Sequence, residues 1–300
     1  MSPRAPRAVS VGRALLRRLP LPKPSDDASK DERGRVLVVG GSTQVAGAIR
    51  LAGEAALRSG AGKLQMATVA SSAPALGIAV PESLVVALPQ TRSGEISGSR
   101  APALLARHAS AVDAMLVGPG MQSARAAHAL FAPLVGRLRD DATLILDAAA
   151  IEVLRTDETL LAPLGGRAVL TPHAGEMAAL LAVEKDAVEA APAELALGAA
   201  ARFNAVIVLK GATSWIATPD GALYRYEGGN VGLATSGSGD TLAGIVAGLS
   251  ARGAPPVNAV AWGVYLHGSA GRVLARRMGQ LGFLARELLA EIPPLLRRRT

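Results

Sequence analysis

The chain has 300 residues, no cysteine, 50% hydrophobic and 19% charged residues, and a formal net charge of +8. This composition suits one large α/β domain with a sizeable core, and it excludes a disulfide framework, zinc–thiolate or iron–sulfur ligation, a cysteine nucleophile and wholesale disorder. The charge excess sits at the ends: nine basic and four acidic residues precede Val36, Arg297, Arg298 and Arg299 supply the rest, and the body between is neutral, with no stripe for tracking nucleic-acid phosphates.

Residues 1–33 read as a basic extension carrying a helix, ahead of one domain over 34–300. Arg13, Arg17 and Arg18 interrupt the early apolar segment, which argues against a secretory signal. No run is apolar enough for a membrane span. A cytoplasmic protein that binds neither nucleic acid nor membrane is the expectation. Val36-Leu37-Val38-Val39, the glycine turn Gly40-Gly41-Ser42 and the helical spacing of Ile49, Ala52, Ala55 and Ala56 predict strand, turn and helix. Further strands are predicted over 64–69, 83–88, 114–117, 143–146, 168–170 and 205–209. Most lack polar alternation, and Ala- and Leu-rich helical stretches separate them. That pattern predicts a doubly wound, mostly parallel sheet flanked by helices, with functional loops at the carboxyl ends of the strands. Pro219-Asp220-Gly221 between two short apolar runs predicts a hairpin. Helices over 241–250, 258–277 and 283–291 follow.

The densest chemical signal is Gly228-Gly229-Asn230-Val231-Gly232-Leu233-Ala234-Thr235-Ser236-Gly237-Ser238-Gly239-Asp240, which runs into an apolar helix. Small residues let main-chain N–H groups approach an anion, and the helix start adds unpaired donors and partial positive charge, so a phosphate fits at Gly237, Ser238 and Gly239. Asp240 is either a helix cap or the acid that works beside that phosphate. Thr171-Pro172-His173-Ala174-Gly175-Glu176 follows a predicted strand; there His173 and Glu176 are either ligand-facing or an ordinary loop histidine and first-turn acid. Lys210 is one of only five lysines against 27 arginines, and it also ends a strand. It offers a point charge to a phosphate, and Gly211, Ala212, Thr213 and Ser214 offer backbone and hydroxyl groups. Gly118-Pro119-Gly120 ends another strand, and Asp147 completes a ring of strand-end polar groups. The loop from Gly40 to Ala48 matches neither the dinucleotide fingerprint nor the Walker lysine loop. No nucleophile elbow and no metal-cage spacing occur, and His108, His128 and His267 read as structural or surface residues.

Taken in order, the Gly-Gly-Ser loop, Gly118-Pro119-Gly120, Leu146-Asp147-Ala148, the Thr171–Glu176 stretch, Leu209-Lys210-Gly211 and Gly237-Ser238-Gly239-Asp240 resemble the NAD(P)H-hydrate dehydratases of the ribokinase-like superfamily. The resemblance covers the chain from about Gly34 onward. It implies removal of water from hydrated NADH or NADPH, driven by cleavage of ADP, or of ATP in its place, and it implies a homo-oligomer, in many family members a tetramer. It further implies that Asp240 accepts the substrate hydroxyl proton with Gly237, Ser238 and Gly239 as anion hole, and that Lys210 to Ser214 together with Gly239 hold the nucleotide. Ala48, Gly120, His173 and Asp240 would line the hydrated dinucleotide pocket, and Glu176 would meet Mg2+ through water. Lowering of the Asp240 pKa by the helix dipole is expected. The chain departs from the family pattern in keeping only Lys30 of a His-Lys-Gly triplet, in Ala149 where an acid is frequent, and in Val231 where proline is usual. A vitamin-precursor kinase acting on a hydroxymethylpyrimidine or hydroxyethylthiazole, and a catalytically silent nucleotide-binding protein, are the alternatives.

Overall fold

In the computed structural model, which describes residues 7–297, each apolar run predicted as a strand forms one, with ends displaced by a residue at most. The strands are β1 (Val9–Ser10), β2 (Arg35–Val39), β3 (Lys63–Val69), β4 (Ser83–Leu88), β5 (Ala114–Val117), β6 (Thr143–Leu146), β7 (Ala168–Leu170), β8 (Val206–Leu209), β9 (Ser214–Ala217) and β10 (Leu223–Tyr226). The helices are α1 (Arg13–Arg18), α2 (Gly47–Arg58), α3 (Ala73–Ala79), α4 (Ala101–Ala109), α5 (Ala124–Val135), α6 (Ala174–Leu181), α7 (Lys185–Ala190), α8 (Pro192–Phe203), α9 (Ser238–Ala251), α10 (Pro256–Met278) and α11 (Ala285–Arg297).

One sheet runs in the order β1-β10-β9-β8-β7-β6-β5-β2-β3-β4. Only β9 runs against the rest; it pairs antiparallel with both β8 and β10. Successive residues of β2 serve opposite layers: Val36 and Val38 join α2, α9, α10 and α11 in one core, while Leu37 and Val39 face the core built with α4, α5, α6 and α8. After β2 the chain turns to β3 on one side and later returns to β5 on the other, so the strand order reverses between β2 and β5. Ligand crevices form outside such a switch point. Its two strand ends are tied together, with the Gly41 amide donating to the Pro119 carbonyl at 2.7 Å and the Gly118 amide to Val39 at 3.1 Å.

α9 is apolar on every side because α2, α10 and the sheet surround it. Gly244 and Gly248 make this possible: a Cβ there would lie 2.1 Å from the Ala52 carbonyl oxygen and 2.4 Å from that of Ala56. α9 starts at Ser238 rather than Thr241 because Gly237, at φ +86°, turns the chain into the helix before the apolar run begins. α11 continues through Pro293 and Pro294, where a stop is predicted; burial of Leu288, Leu289, Ile292, Leu295 and Leu296 outweighs the lost backbone bonds.

The segment ahead of Gly34 packs on the domain. β1 is an unforeseen parallel strand along β10, too short for any sequence period to reveal. Leu15 and Leu16 of α1 are buried, Trp262 Nε1 donates to the Leu19 carbonyl at 2.7 Å, and Asn258 Nδ2 to that of Pro20 at 2.9 Å. Among the basic end residues, Arg4, Arg298 and Arg299 lie outside the described residues.

Candidate active site

The carboxyl ends of β5 to β8 and the amino end of α9 meet on one rim of the sheet. Asp147, directly after β6, is 3% exposed and accepts from Thr171 Oγ1 at 2.6 Å and from Lys210 Nζ at 3.0 Å. Lys210 Nζ also lies 3.7 Å from Glu176 Oε2. The Lys210 amide donates to the Pro172 carbonyl at 2.8 Å, which fastens the Thr171–Glu176 loop to the end of β8. Burial works against the Lys210 charge, but Asp147, Glu176 and Asp240 together outweigh it and hold its pKa above the usual lysine value. Lys210 is thus a fixed cation, paired on several sides.

Gly239 faces this ammonium; a Cβ at that position would sit 3.3 Å from Lys210 Nζ. Asp240 is the third helical residue of α9 and makes no side-chain cap, so the simple capping reading of Asp240 fails. The expected lowering of its pKa is also overturned. Burial, with Asp147 and Glu176 adding to it and Lys210 opposing, raises Asp240 to about 6. The half-buried carboxylate has lost part of its hydration, and that loss outweighs the favourable field of the helix start.

Of the amides in the glycine turn, that of Ser238 already donates to the Thr235 carbonyl at 3.2 Å. Those of Gly237, Gly239 and Asp240 make no hydrogen bond among the described residues. The available donors therefore include the amide of Asp240 itself and exclude that of Ser238. Ser238 Oγ stands 3.0 Å from His267 Nε2 of α10. Burial around this imidazole pushes its pKa down to about 4, with the Ser238 backbone opposing and Lys210 adding to the fall. The structural or surface reading of His267 missed that contact. It joins residues 29 apart on two helices, and no local spacing marks it.

The remaining candidates fall into two groups. Ala48 and Gly120 adjoin at the switch point, where a Cβ on Gly120 would lie 3.0 Å from that of Ala48. His173 and Glu176 form a reciprocal cap of α6: the His173 amide donates to Glu176 Oε2 at 2.8 Å, and the Glu176 amide to His173 Nδ1 at 3.1 Å. Each residue is thus both a capping group and a rim group, with the His173 side chain 59% exposed. Gly211 and Ala212 lie exposed in the turn between β8 and β9, with Thr213 and Ser214 partly covered. Among the described residues no group of three or more acids and histidines is placed to enclose a metal ion.

A protein-family model described as NAD(P)H-hydrate dehydratase matches residues 36–294. The ADP-dependent (S)-NAD(P)H-hydrate dehydratase of Xanthomonas campestris is 53% identical over 98% of this chain and 98% of its own length. The chain belongs to the NAD(P)H-hydrate dehydratase family. A bifunctional NAD(P)H-hydrate repair enzyme of Moorella thermoacetica is 41% identical over 92% of the chain, which spans 52% of that longer protein. The crystal structure of the Bacillus subtilis ADP/ATP-dependent NAD(P)H-hydrate dehydratase, co-crystallised with ATP and Mg2+, superposes with TM-score 0.79 and 28% identity, covering 98% of this chain and 99% of that one. A hydroxyethylthiazole kinase of Pyrococcus horikoshii, 15% identical at TM-score 0.60, shares the fold over 94% of this chain and 92% of its own. The fold is thus common to dehydratases and kinases, and membership of the dehydratase family rests on the sequence.

Proposed function

We propose that the chain restores hydrated NADH and NADPH to the dinucleotides by removing water at the cost of ADP, which is cleaved to AMP and phosphate. The single observation that carries this is the set of free amides at Gly237, Gly239 and Asp240, gathered beside a half-buried carboxylate and a fixed cation at the rim. Hydroxide leaves a carbon poorly, whereas a phosphorylated hydroxyl leaves readily. On this reading Asp240 accepts the proton of the hydroxyl on the hydrated ring as its oxygen bonds to the terminal phosphorus of ADP, and the bond to AMP breaks. The three amides hold the moving phosphoryl oxygens. The carbon–oxygen bond then breaks as the ring nitrogen supplies an electron pair, phosphate departs, and loss of a proton from the adjacent carbon restores the reduced ring.

Lys210 to Ser214 and Gly239 are assigned to the nucleotide, and Ala48, Gly120 and His173 to the hydrated dinucleotide. Glu176 fits a water-mediated role toward Mg2+, since its carboxylate is spoken for by the His173 amide and Lys210 and leaves no room for a protein cage. The ion would supply charge neutralisation to phosphates when bound. A cytoplasmic homo-oligomer belongs to the same reading.

The test incubates the protein with hydrated NADH or hydrated NADPH and either ADP or ATP. Recovery of the reduced-nicotinamide absorbance with ADP, together with release of one AMP and one phosphate per dinucleotide, is expected. An unchanged dinucleotide combined with phosphorylation of hydroxymethylpyrimidine or hydroxyethylthiazole would overturn the proposal in favour of a kinase.

A further inference from the structure

The turn that presents the free amides is held from within by Thr241, whose amide and hydroxyl both donate to the Gly237 carbonyl at 3.0 Å, and by three further contacts. The Ser238 amide is bonded to Thr235, and Gly237 is seated so closely on α2 that a Cβ would come within 2.4 Å of Leu51 Cδ1. The third contact is Ser238 Oγ on His267 Nε2 at 3.0 Å. Only the third reaches across to α10, and it does so from a residue 5% exposed and flanked on both sides by residues whose amides are free. We infer that His267 is a positioning residue for phosphoryl transfer, which acts through Ser238 to hold the Gly237, Gly239 and Asp240 amides on the phosphoryl group. The inference deepens the proposed function and rests on it for the identity of the reaction.

The chemistry suits imidazole. A neutral ring can donate from or accept at Nε2 while placing no charge beside the anion, so it fixes the hydroxyl without competing for the phosphate. Asp240 is two residues beyond Ser238, so loss of the anchor would let carboxylate and amides drift together. A misplacement of about 1 Å in such a constellation costs on the order of 100-fold in rate.

The experiment compares His267→Ala, His267→Gln, Ser238→Ala and the double variant His267→Ala/Ser238→Ala. Dehydration with ADP should show kcat reduced about tenfold or more in both alanine singles, with KM for the hydrated dinucleotide changed by less than about threefold. His267→Gln, whose amide can occupy the same hydrogen bond, should recover most of the loss. The double variant should lose no more than the worse single, because the two residues act as one unit. Calorimetric titration of inorganic phosphate and of AMP should weaken in the same order, and this reads the cradle without turnover. A wild-type protein that fails to dehydrate but binds phosphate with this ranking would sink the assigned reaction and leave the positioning role standing. Wild-type phosphate affinity and kcat in His267→Ala, or losses that multiply in the double variant, would overturn the inference. So would a glutamine variant no better than alanine.

Discussion

At the scale of single residues, the governing fact is that three carboxylates, Asp147, Glu176 and Asp240, share one ammonium. Burial of Asp240, with the Asp147 and Glu176 charges adding to it, raises its pKa from 3.8 to about 6 in spite of Lys210. In the proposed role of proton acceptor it must be ionised, so turnover should climb as pH rises through about 6, and a kcat/KM profile flat between pH 5 and 7 would contradict the assignment. Asp147→Asn removes a negative neighbour and should move that acid limb downward. The same shift has a stability consequence. A carboxyl raised in the folded state costs nothing below 3.8, costs progressively more as pH rises toward 6, and costs roughly 3 kcal/mol at most above it. Asp240→Asn should therefore melt higher than wild type at pH 8 and equally at pH 3.5, while losing about a hundredfold or more in turnover and keeping nucleotide affinity within a few-fold. Residue types and strand-end positions made Asp240, Lys210, Glu176 and His173 readable from sequence. The Asp147–Thr171–Lys210 contacts and the His267–Ser238 pair were not readable, because each depends on which distant strand or helix end becomes a neighbour.

At the scale of elements, the site stands where it does because α9 lies close against α2. Gly244 and Gly248 leave the backbone of α9 in contact with the Ala52 and Ala56 carbonyls, and neither glycine can accept a side chain without separating the helices. Gly244→Ala should cost about 2 kcal/mol or more by overpacking and should also raise KM for nucleotide, since the amino end of α9 shifts with its axis. Chemical denaturation and steady-state kinetics on the same sample check both effects. Gly118 poses the same demand at the switch point, with φ +126° and a Cβ that would meet the Asp147 carbonyl oxygen at 1.8 Å. Strand identities were legible because β5 and β8 are short, wholly apolar and fully covered, and β2 and β6 differ from them only in a first residue, Arg35 or Thr143. Helix ends were less so: burial carries α11 past two prolines, and a left-handed glycine starts α9 early. In both cases tertiary packing overrode the local signal.

At the scale of the molecule, composition marks residues 1–33 as a basic extension ahead of the domain. The structure ties it in through Val11, Leu15, Leu16 and Leu21, all buried, and through carbonyls of Leu19, Pro20 and Pro22 that accept from Trp262, Asn258 and Arg252. Deleting residues 1–22 should lower the melting temperature by roughly 5 °C or more, because each buried aliphatic side chain is worth about 1.5–3 kcal/mol before ordering costs. The rim residues lie on other elements, so activity per folded molecule at low temperature should stay close to wild type. β1 meets β10 through Val9 and Tyr224, and most of the sheet lies between them in sequence. On the ribosome β1 must therefore wait for its partner until the hairpin emerges. Until then the nascent protein trails a basic, half-apolar arm. A chain clipped within that arm exposes the β10 edge, a ready template for the arm of a second molecule.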